Sequence, residues 1–310
     1  MKTIFLPTLF TLICTMSLAQ DFQRVPLHDG WQLRSADHPE GATLPAKVPG
    51  LVQEELIRSG LLPDPYYGTN EKLVQWVSEQ NWAYELNWEI AKLDDNRHYQ
   101  LNFRGLDTYA AVSLNGQNIL AADNMFRSWQ VPVNGILREG TNRLRIVFTA
   151  PVNQLRPVID TFAYPLHQTS VNDTGEPRVA NFARKAQFQF GWDWGLRLVT
   201  MGIWRPVYLE SWAKAKLTDA QFHQNSLSQE VAEMTVKVKI DRREPGQYEI
   251  RVRGIDEKGQ TYTRRPLLDS ENELDINFRI DQPQYWWPVG HGPQNRYHLA
   301  CQLWKDGELV

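Results

Sequence analysis

The sequence has 310 residues, which is too long for one typical β-sandwich and enough for two domains with substantial cores. The net charge of −3 and the pI near 6.2 do not suggest nucleic acid or an anionic membrane as a partner. The 12 tryptophans are the compositional anomaly, and packing in sandwich cores is the first explanation for most of them.

Residues 1–19 have the pattern of a secretory signal peptide, which predicts a secreted or periplasmic protein. Lys2 supplies a short basic start, an apolar run extends from Ile4 to Leu18, and Ala19 offers a small residue for cleavage. The run is too short to span a bilayer, so no membrane insertion is expected.

The two cysteines bear on the same segment. Cys14 leaves lipid anchoring open as an alternative, although Ile13 is a poor residue before a lipidated cysteine. After cleavage Cys301 is the only cysteine, which excludes an intrachain disulfide and a cysteine-based metal site. This usage fits a bacterial periplasm better than a disulfide-rich extracellular module.

Alternation of apolar and polar residues predicts a first group of half-buried strands. A short helix is expected before them at Leu51–Arg58, with Glu54 and Glu55 on its solvated face. From Ala150 to Gln187 the alternation lapses, which predicts a long functional or disordered loop. The expected strands are Trp82–Ile90, Tyr99–Phe103 and Leu144–Phe148, with turns at 94–96, 115–116 and 139–140.

A second group of short, evenly spaced strands begins near Leu217 and predicts an immunoglobulin-like sandwich. Six strands can be counted where seven are usual, so the closing strand is expected to be missing at Val310. The turns are expected at Pro245-Gly246, Lys258-Gly259 and Asp306-Gly307.

Gly191-Trp192-Asp193-Trp194-Gly195 is the most unusual segment of the sequence. A carboxylate between two indoles suits a sugar, because an indole can cover the C–H face of a pyranose and a charged acceptor makes strong hydrogen bonds to hydroxyls. The flanking glycines permit close approach and unusual dihedral angles. The alternative is a strand and tight turn in which Trp192 and Trp194 simply pack, and residue chemistry alone leaves both open.

Tyr285-Trp286-Trp287-Pro288 is the second aromatic cluster. A buried plug of tryptophans in a loop between strands is the expectation, and contact with a sugar is the alternative.

No local pattern supports metal, cofactor or nucleophilic chemistry. None of the seven histidines lies in a His-x-x-x-His or Glu-x-x-His pattern, and there is no P-loop, dinucleotide fingerprint or Gly-x-Ser-x-Gly motif. No metal and no cofactor are therefore expected. Paired carboxylates cannot be recognised among 36 Asp and Glu residues, so no catalytic residue is assigned.

Three segments together resemble the β-mannosidases of glycoside hydrolase family two. Gln189 to Gly195, with Gly202 to Val207, is similar to a segment typical of that branch. Gly105 to Gly116 resembles the strand and turn of the family's N-terminal sugar-binding-like domain. Trp286-Trp287-Pro288 with Gly290 and Gly292 resembles the end of its immunoglobulin-like domain. The resemblance covers nearly all of the mature chain in the right order.

The resemblance implies a retaining hydrolase that removes terminal non-reducing β-D-mannose, with both catalytic glutamates on a TIM barrel after these domains. No such βα repeat is present in this sequence. Either a fragment of a longer enzyme or a truncated gene product is therefore expected, and both should be inactive alone. The expected partners are a β-mannoside oligosaccharide and the barrel of the same polypeptide. Asp193 is implied to bind sugar hydroxyls in the glycone pocket, framed by Trp192 and Trp194. Arg184 and Lys185 match an adjacent basic pair of unassigned role.

The expected fold is all-β. A signal peptide at 1–19 precedes a jelly-roll, galactose-binding-like sandwich at 20–212 and an incomplete immunoglobulin-like β-sandwich at 213–310. Two other functions stay open, namely a free-standing carbohydrate-binding module without catalytic activity and a structural sandwich with no sugar site. The aspartate between indoles favours a sugar-binding function over the purely structural one.

Overall fold

The structure is a computed structural model that describes residues 21–164, 173–268 and 271–310. The predicted signal peptide at 1–19, with Cys14, lies outside the described residues. The chain divides into two compact units. We call Arg24–Ser211 the N-terminal sandwich, and Trp212–Val310 with the described residues up to Gln23 the C-terminal sandwich.

Two main sheets build the N-terminal sandwich. The strands are β1 (Gln23–Pro26), β2 (Trp31–Ser35), β3 (Leu44–Ala46), β4 (Gly50–Leu51), β5 (Trp82–Ile90), β6 (His98–Phe103), β7 (Tyr109–Leu114), β8 (Gln117–Asp123), β9 (Trp129–Pro132), β10 (Gly140–Thr149), β11 (Phe190–Trp192), β12 (Gly195–Arg197), β13 (Gly202–Ile203) and β14 (Val207–Trp212). One sheet has the order β1-β14-β6-β9 and the other β3-β2-β5-β10-β7-β8. Two short pairs, β4 with β13 and β11 with β12, stand apart from them.

Alternating burial explains how the six-stranded sheet packs. β5 and β10 run antiparallel, with Leu86 opposite Leu144 and Tyr84 opposite Ile146. All four side chains are buried in the main core of this unit. The strands predicted for this unit from period-two alternation are confirmed.

The turn predicted at Asn115-Gly116 joins β7 to β8. Both residues have positive φ, 52° and 86°, as a two-residue hairpin turn of type I′ requires. Asn115 also accepts the backbone N–H of Arg143 at 2.9 Å, so the turn is tied to the neighbouring strand β10.

The predicted short helix is confirmed as α1 (Val52–Arg58), and its apolar face is buried. The prediction that Glu54 and Glu55 both face solvent is wrong for Glu55, whose side chain is 1% exposed. The Glu55 carboxylate accepts the backbone N–H of Lys47 at 3.0 Å and pairs with Arg58. It therefore ties the chain before β4 to the helix.

The segment Ala150–Gln187, predicted as a long functional or disordered loop, contains helices among its described residues. Its described residues begin with α2 (Pro151–Ile159), and short 3-10 helices lie at Ala180–Phe182 and Gln187–Gln189. The sequence pattern does not predict this helix because it is short and contains Pro157, a residue that is disfavoured in helix interiors. Apolar residues of this segment, together with Phe190 and Val199 after it, form a second core cluster of Val152, Leu155, Val179, Ala180, Ala183, Phe190 and Val199.

The C-terminal sandwich has its own sheets and core. Its strands are β15 (Ala215–Leu227), β16 (Val231–Arg242), β17 (Tyr248–Asp256), β18 (Thr261–Arg264), β19 (Leu267–Leu268), β20 (Glu273–Asp281), β21 (Tyr297–Lys305) and β22 (Glu308–Leu309). One sheet has the order β15-β16-β20 and the other β18-β17-β21-β22, with β19 on β17. Alternate residues of these strands, among them Val236, Tyr248 and Ile250, form the core between the sheets.

The last strand differs from its prediction in one respect. After the predicted turn at Asp306-Gly307 the structure adds a two-residue strand, β22, with Leu309 opposite Trp304 and Glu308 opposite Lys305. On its other side β21 pairs with β17 along its full length. Among the described residues, no other strand pairs with the β22 edge of β21.

The predicted all-β fold class is confirmed. The only α-helices that the described residues form are α1 and α2. Over the ranges that the structure describes, no helix is both long and apolar enough to cross a membrane.

Candidate functional site

The hairpin of β11 and β12 carries Asp193 and Trp194 at its tip. Its two residue pairs are Phe190 with Arg197 at the base and Trp192 with Gly195 beside the tip. The most unusual segment of the sequence is thus a tight two-stranded projection and not part of either main sheet.

The two glycines of the motif have different roles. Gly191 has φ 104°, in the left-handed region that strongly favours glycine, so the backbone requires it. Gly195 has no such constraint, and a Cβ there would lie at an ordinary contact distance of 3.4 Å from Trp192 Cβ. The expectation that the glycines permit unusual dihedral angles therefore holds for Gly191.

The side chains at the tip face solvent. Trp194 is 85% exposed and Trp192 is 42% exposed, and their rings meet edge to face with centroids 6.3 Å apart. Asp193 is exposed, and its carboxylate makes no hydrogen bond or ion pair within the part of the chain that the structure describes. The alternative in which both tryptophans simply pack is wrong for Trp194. An indole this exposed beside an unpaired carboxylate suits contact with a ligand or partner.

The base of the hairpin is anchored by apolar packing on the β11 side. Phe190 is fully buried and belongs to the second core cluster, with Val152 and Leu155 of α2. Helix α2 therefore supports the hairpin, which gives a physical role to the segment that the sequence pattern predicts as a loop.

On the β12 side the anchor is polar. Arg197 is 5% exposed, and its Nε donates to Oδ1 of the buried Asp173 at 2.9 Å. Its Nη1 donates to Oε1 of Gln75 at 2.6 Å. Its backbone N–H donates to Oε1 of Glu71 at 2.7 Å, and its carbonyl accepts Nε2 of Gln75 at 2.8 Å.

The basic pair before the hairpin divides into a surface residue and a core residue. Arg184 is exposed and pairs with Asp123. Lys185 is buried and pairs with the buried carboxylate of Asp107, and its Nζ also donates to the carbonyl of Thr200 at 2.7 Å. Burial lowers the pKa of Lys185, while the carboxylate of Asp107 opposes that shift.

The geometry gives Lys185 a structural role. The Asp107 carboxylate also accepts the hydroxyl of Thr200 at 2.7 Å, so Lys185 joins the chain before the hairpin to the chain after it. Removal of one partner from such a buried pair leaves an uncompensated charge, which is strongly destabilising.

The second aromatic cluster is not the buried plug that the sequence predicts. Trp286 is 55% exposed and Trp287 is 46% exposed. Tyr285 and Trp286 border a largely apolar cavity of about 460 Å³ within the C-terminal sandwich. Gly292 packs against Trp287, since a Cβ there would lie 2.7 Å from the indole.

Sequence reasoning missed Arg197, Asp173, Gln75 and Glu71. Arg197 follows the Trp-Asp-Trp motif after Gly195-Leu196, and that proximity is the only local signal. Its partners lie far away in the chain, so only the fold brings them together.

Within the described ranges, no group of three or more His, Cys, Asp or Glu residues could hold a metal ion.

Known proteins match both parts of the chain. Residues 31–205 match the family described as glycosyl hydrolase 2 galactose-binding domain-like, and residues 215–310 match glycosyl hydrolases family 2. Beta-mannosidase B of Thermothelomyces thermophilus is 34% identical over 291 residues, covering 92% of this chain and 33% of that protein. Beta-mannosidase B of Aspergillus clavatus is 32% identical, covering 93% of this chain and 34% of that protein.

A solved structure agrees with these matches. The crystal structure of a β-D-mannosidase from Dictyoglomus thermophilum aligns with a TM-score of 0.83 at 33% identity, covering 93% of this chain and 35% of that one. The chain spans about a third of the length of these relatives. The chain therefore belongs to glycosyl hydrolase family 2 and corresponds to the N-terminal portion of the β-mannosidases that it resembles.

Proposed function

We propose that this chain is the sugar-recognising N-terminal part of a β-mannosidase that removes terminal non-reducing β-D-mannose from oligosaccharides. The names of its relatives support this activity, and so does the exposed hairpin that carries Asp193. Retaining hydrolysis needs two carboxyl groups about 5 Å apart, one on each side of the reaction. In this proposal a catalytic barrel of the same polypeptide supplies both, and residues 21–310 supply recognition.

The observation that carries the proposal is the unpaired carboxylate of Asp193 between two exposed indoles. A carboxylate can accept hydrogen bonds from two adjacent hydroxyl groups of one sugar, and such charged hydrogen bonds are the stronger kind. Trp192 and Trp194 present apolar surface for the C–H face of the ring. These three residues are the substrate-binding residues of the proposal.

The location of the protein belongs to the proposal as well. The sequence of residues 1–19 supports export, so we place the enzyme in the periplasm or outside the cell. Export followed by cleavage predicts a mature chain that begins after Ala19, and mass spectrometry of the natural protein's N-terminus checks this.

The test is Asp193→Asn in the polypeptide that joins this chain to its catalytic barrel. Loss of a charged hydrogen bond costs on the order of 1.5–3 kcal/mol. The expected result is a fall in kcat/KM of roughly ten- to a hundredfold on p-nitrophenyl β-mannoside, with an unchanged thermal melt. The matched control is Asp95→Asn, which changes an exposed aspartate in a turn of the same unit and should leave kcat/KM unchanged.

Two outcomes would count against this role. A sharply lowered melting temperature with normal kinetics makes Asp193 architectural. Equal kinetic effects of Asp193→Asn and Asp95→Asn make it one surface carboxylate among many.

The exposure of Trp194 also favours the alternative of a free-standing carbohydrate-binding module. Calorimetric titration of the chain with mannose oligosaccharides separates the two functions. A module binds sugar tightly by itself and loses binding in Trp194→Ala. Recognition completed by a barrel predicts weak binding or none to the isolated chain.

A further inference from the structure

The β11–β12 hairpin is too short to fix its own tip. It contains two residue pairs and forms a two-stranded sheet without a third strand among the described residues. An isolated two-stranded hairpin is marginally stable at best in water. Contacts at the base of the hairpin therefore help to set the position of Asp193.

Two different anchors meet at that base, directly across the ladder from each other. Phe190 is held by apolar packing, which is strong but has no preferred direction. Arg197 is held by hydrogen bonds, which depend steeply on angle and therefore fix orientation.

The hydrogen bonds of Arg197 restrain its backbone and its side chain at the same time. Glu71 accepts its N–H, and Gln75 donates to its carbonyl, so the β12 backbone is fixed on the strand itself. Asp173 and Gln75 accept from its guanidinium, so the side chain is fixed as well. These partners come from two separate segments of the chain, which resist displacement of β12 in different directions.

The site is shaped for a guanidinium group. A Cβ at Gly175 would lie 2.2 Å from Nη2 of Arg197, so the absence of a side chain there makes room for it. The backbone N–H of Gly175 donates to the same oxygen of Asp173 that Arg197 binds, at 3.0 Å. Lysine has a single ammonium centre and cannot reproduce the planar fork that reaches both Asp173 and Gln75.

We propose that Arg197 is a positioning residue, and that with Asp173, Gln75 and Glu71 it forms a clamp that fixes the direction in which the hairpin presents Asp193. Arg197 acts through β12 and does not touch the sugar. The effect of the clamp on hairpin geometry stands on the structure alone, while its effect on catalysis rests on the proposed function.

The clamp can be tested in the 310-residue chain without any sugar. The ring centroids of Trp192 and Trp194 lie 6.3 Å apart, so exciton coupling between the two indoles is expected. It gives a couplet of opposite-signed bands in the far-ultraviolet circular dichroism, here called the paired band, whose intensity depends on the mutual orientation of the rings. The difference between the spectra of each protein with and without Trp194→Phe isolates this band from the other tryptophans. Thermal melts establish that each variant is folded.

The paired band should be largely lost in Arg197→Met and should not return in Arg197→Lys. It should weaken in Gly175→Ala, which crowds the guanidinium, and in Gln75→Ala, which removes two of its hydrogen bonds. Arg34→Met is the matched control, because Arg34 pairs with Glu85 in the same unit without contacting the hairpin. The control should keep the band.

A folded Arg197→Met protein with an intact band overturns the clamp. If Arg197→Met does not fold, Gln75→Ala decides, and an intact band in its folded state overturns the proposal. Equal loss of the band in Arg34→Met also overturns it, because the effect is then not specific to the clamp.

Kinetics in the polypeptide with its barrel separate the clamp from the proposed function. A positioning residue works only through Asp193, so Arg197→Lys should lower kcat/KM in the parent and have little effect in an Asp193→Asn background. If Arg197→Lys lowers kcat/KM by the same factor in both backgrounds, Arg197 does not act through Asp193 and is not a positioning residue. If Asp193→Asn leaves kcat/KM unchanged while the Arg197 variants lose the paired band, the clamp is supported and the proposed function is contradicted.

Discussion

Three aspartates of the N-terminal sandwich show how environment separates structural carboxylates from an available one. Asp107 is buried and paired with Lys185, and Asp173 is buried and paired with Arg197. Both have the cationic partner that burial of a carboxylate requires. Asp193 is exposed and has no such partner among the described residues. A ligand can therefore bind Asp193 without breaking a native interaction.

The glycines of the motif give a matched pair of substitutions. Gly191→Ala places a side chain at φ 104°, which costs roughly 1–3 kcal/mol, whereas Gly195→Ala meets no such strain. We expect Gly191→Ala to lower the free energy of unfolding in urea or to abolish the paired tryptophan band, and Gly195→Ala to do neither. Wild-type behaviour of Gly191→Ala on both measurements would show that the backbone does not need glycine there.

At the scale of elements, strand β21 pairs along its full length with β17, and among the described residues only two residues of β22 pair with its other edge. Its Cys301 is half-buried, and burial raises the pKa of the thiol to about 11. The thiolate is the reactive form, so Cys301 in the folded chain should alkylate more slowly than in the unfolded chain, where the pKa is about 8.5.

Iodoacetamide labelling across a range of pH checks this behaviour. The labelling rate of the folded chain should keep rising as the pH approaches about 11, because each increase in pH deprotonates a larger fraction of the thiol. The rate in urea should level off at lower pH. Peptide mapping confirms that the label is on Cys301. Equal rates in the folded and unfolded chain near neutral pH would mean that β21 does not shield its thiol.

Elements with strong periodicity are the ones that sequence predicts well. β5 has the predicted bounds, Trp82–Ile90, because each alternate residue faces the core. α2 could not be predicted, since a short helix that contains Pro157 has no clear pattern. Glu55 could not be predicted as buried, because its contact with the backbone N–H of Lys47 depends on the fold.

The candidate site divides in the same way. Asp193 and its flanking tryptophans stand out in the sequence by composition alone. The Arg197 clamp does not, because Asp173 and Gln75 are 24 and 122 residues away from Arg197 in the chain. Unusual residue types can be found by inspection of a sequence, whereas the contacts that support them depend on tertiary structure.

At the scale of the whole molecule, each unit has its own hydrophobic core and its own exposed aromatic surface. The hairpin tip belongs to the N-terminal sandwich, and Trp286 with Trp287 belongs to the C-terminal sandwich. The described residues form no βα repeat, and the chain spans about a third of its mannosidase relatives. We propose that these units recognise the sugar and that a barrel of the same polypeptide carries out catalysis.

The proposal that Asp193 recognises the sugar is tested most directly by a cycle that combines Asp193→Asn with changes in the substrate. It is measured in the polypeptide that includes the barrel. Values of kcat/KM are determined for the parent and for Asp193→Asn on an aryl β-mannoside and on analogues that each lack one hydroxyl of the mannose ring. If Asp193 binds a hydroxyl, the loss of about 1.5–3 kcal/mol caused by Asp193→Asn shrinks toward zero on the analogue without that hydroxyl. An equal loss on every analogue would contradict a direct contact between Asp193 and the sugar.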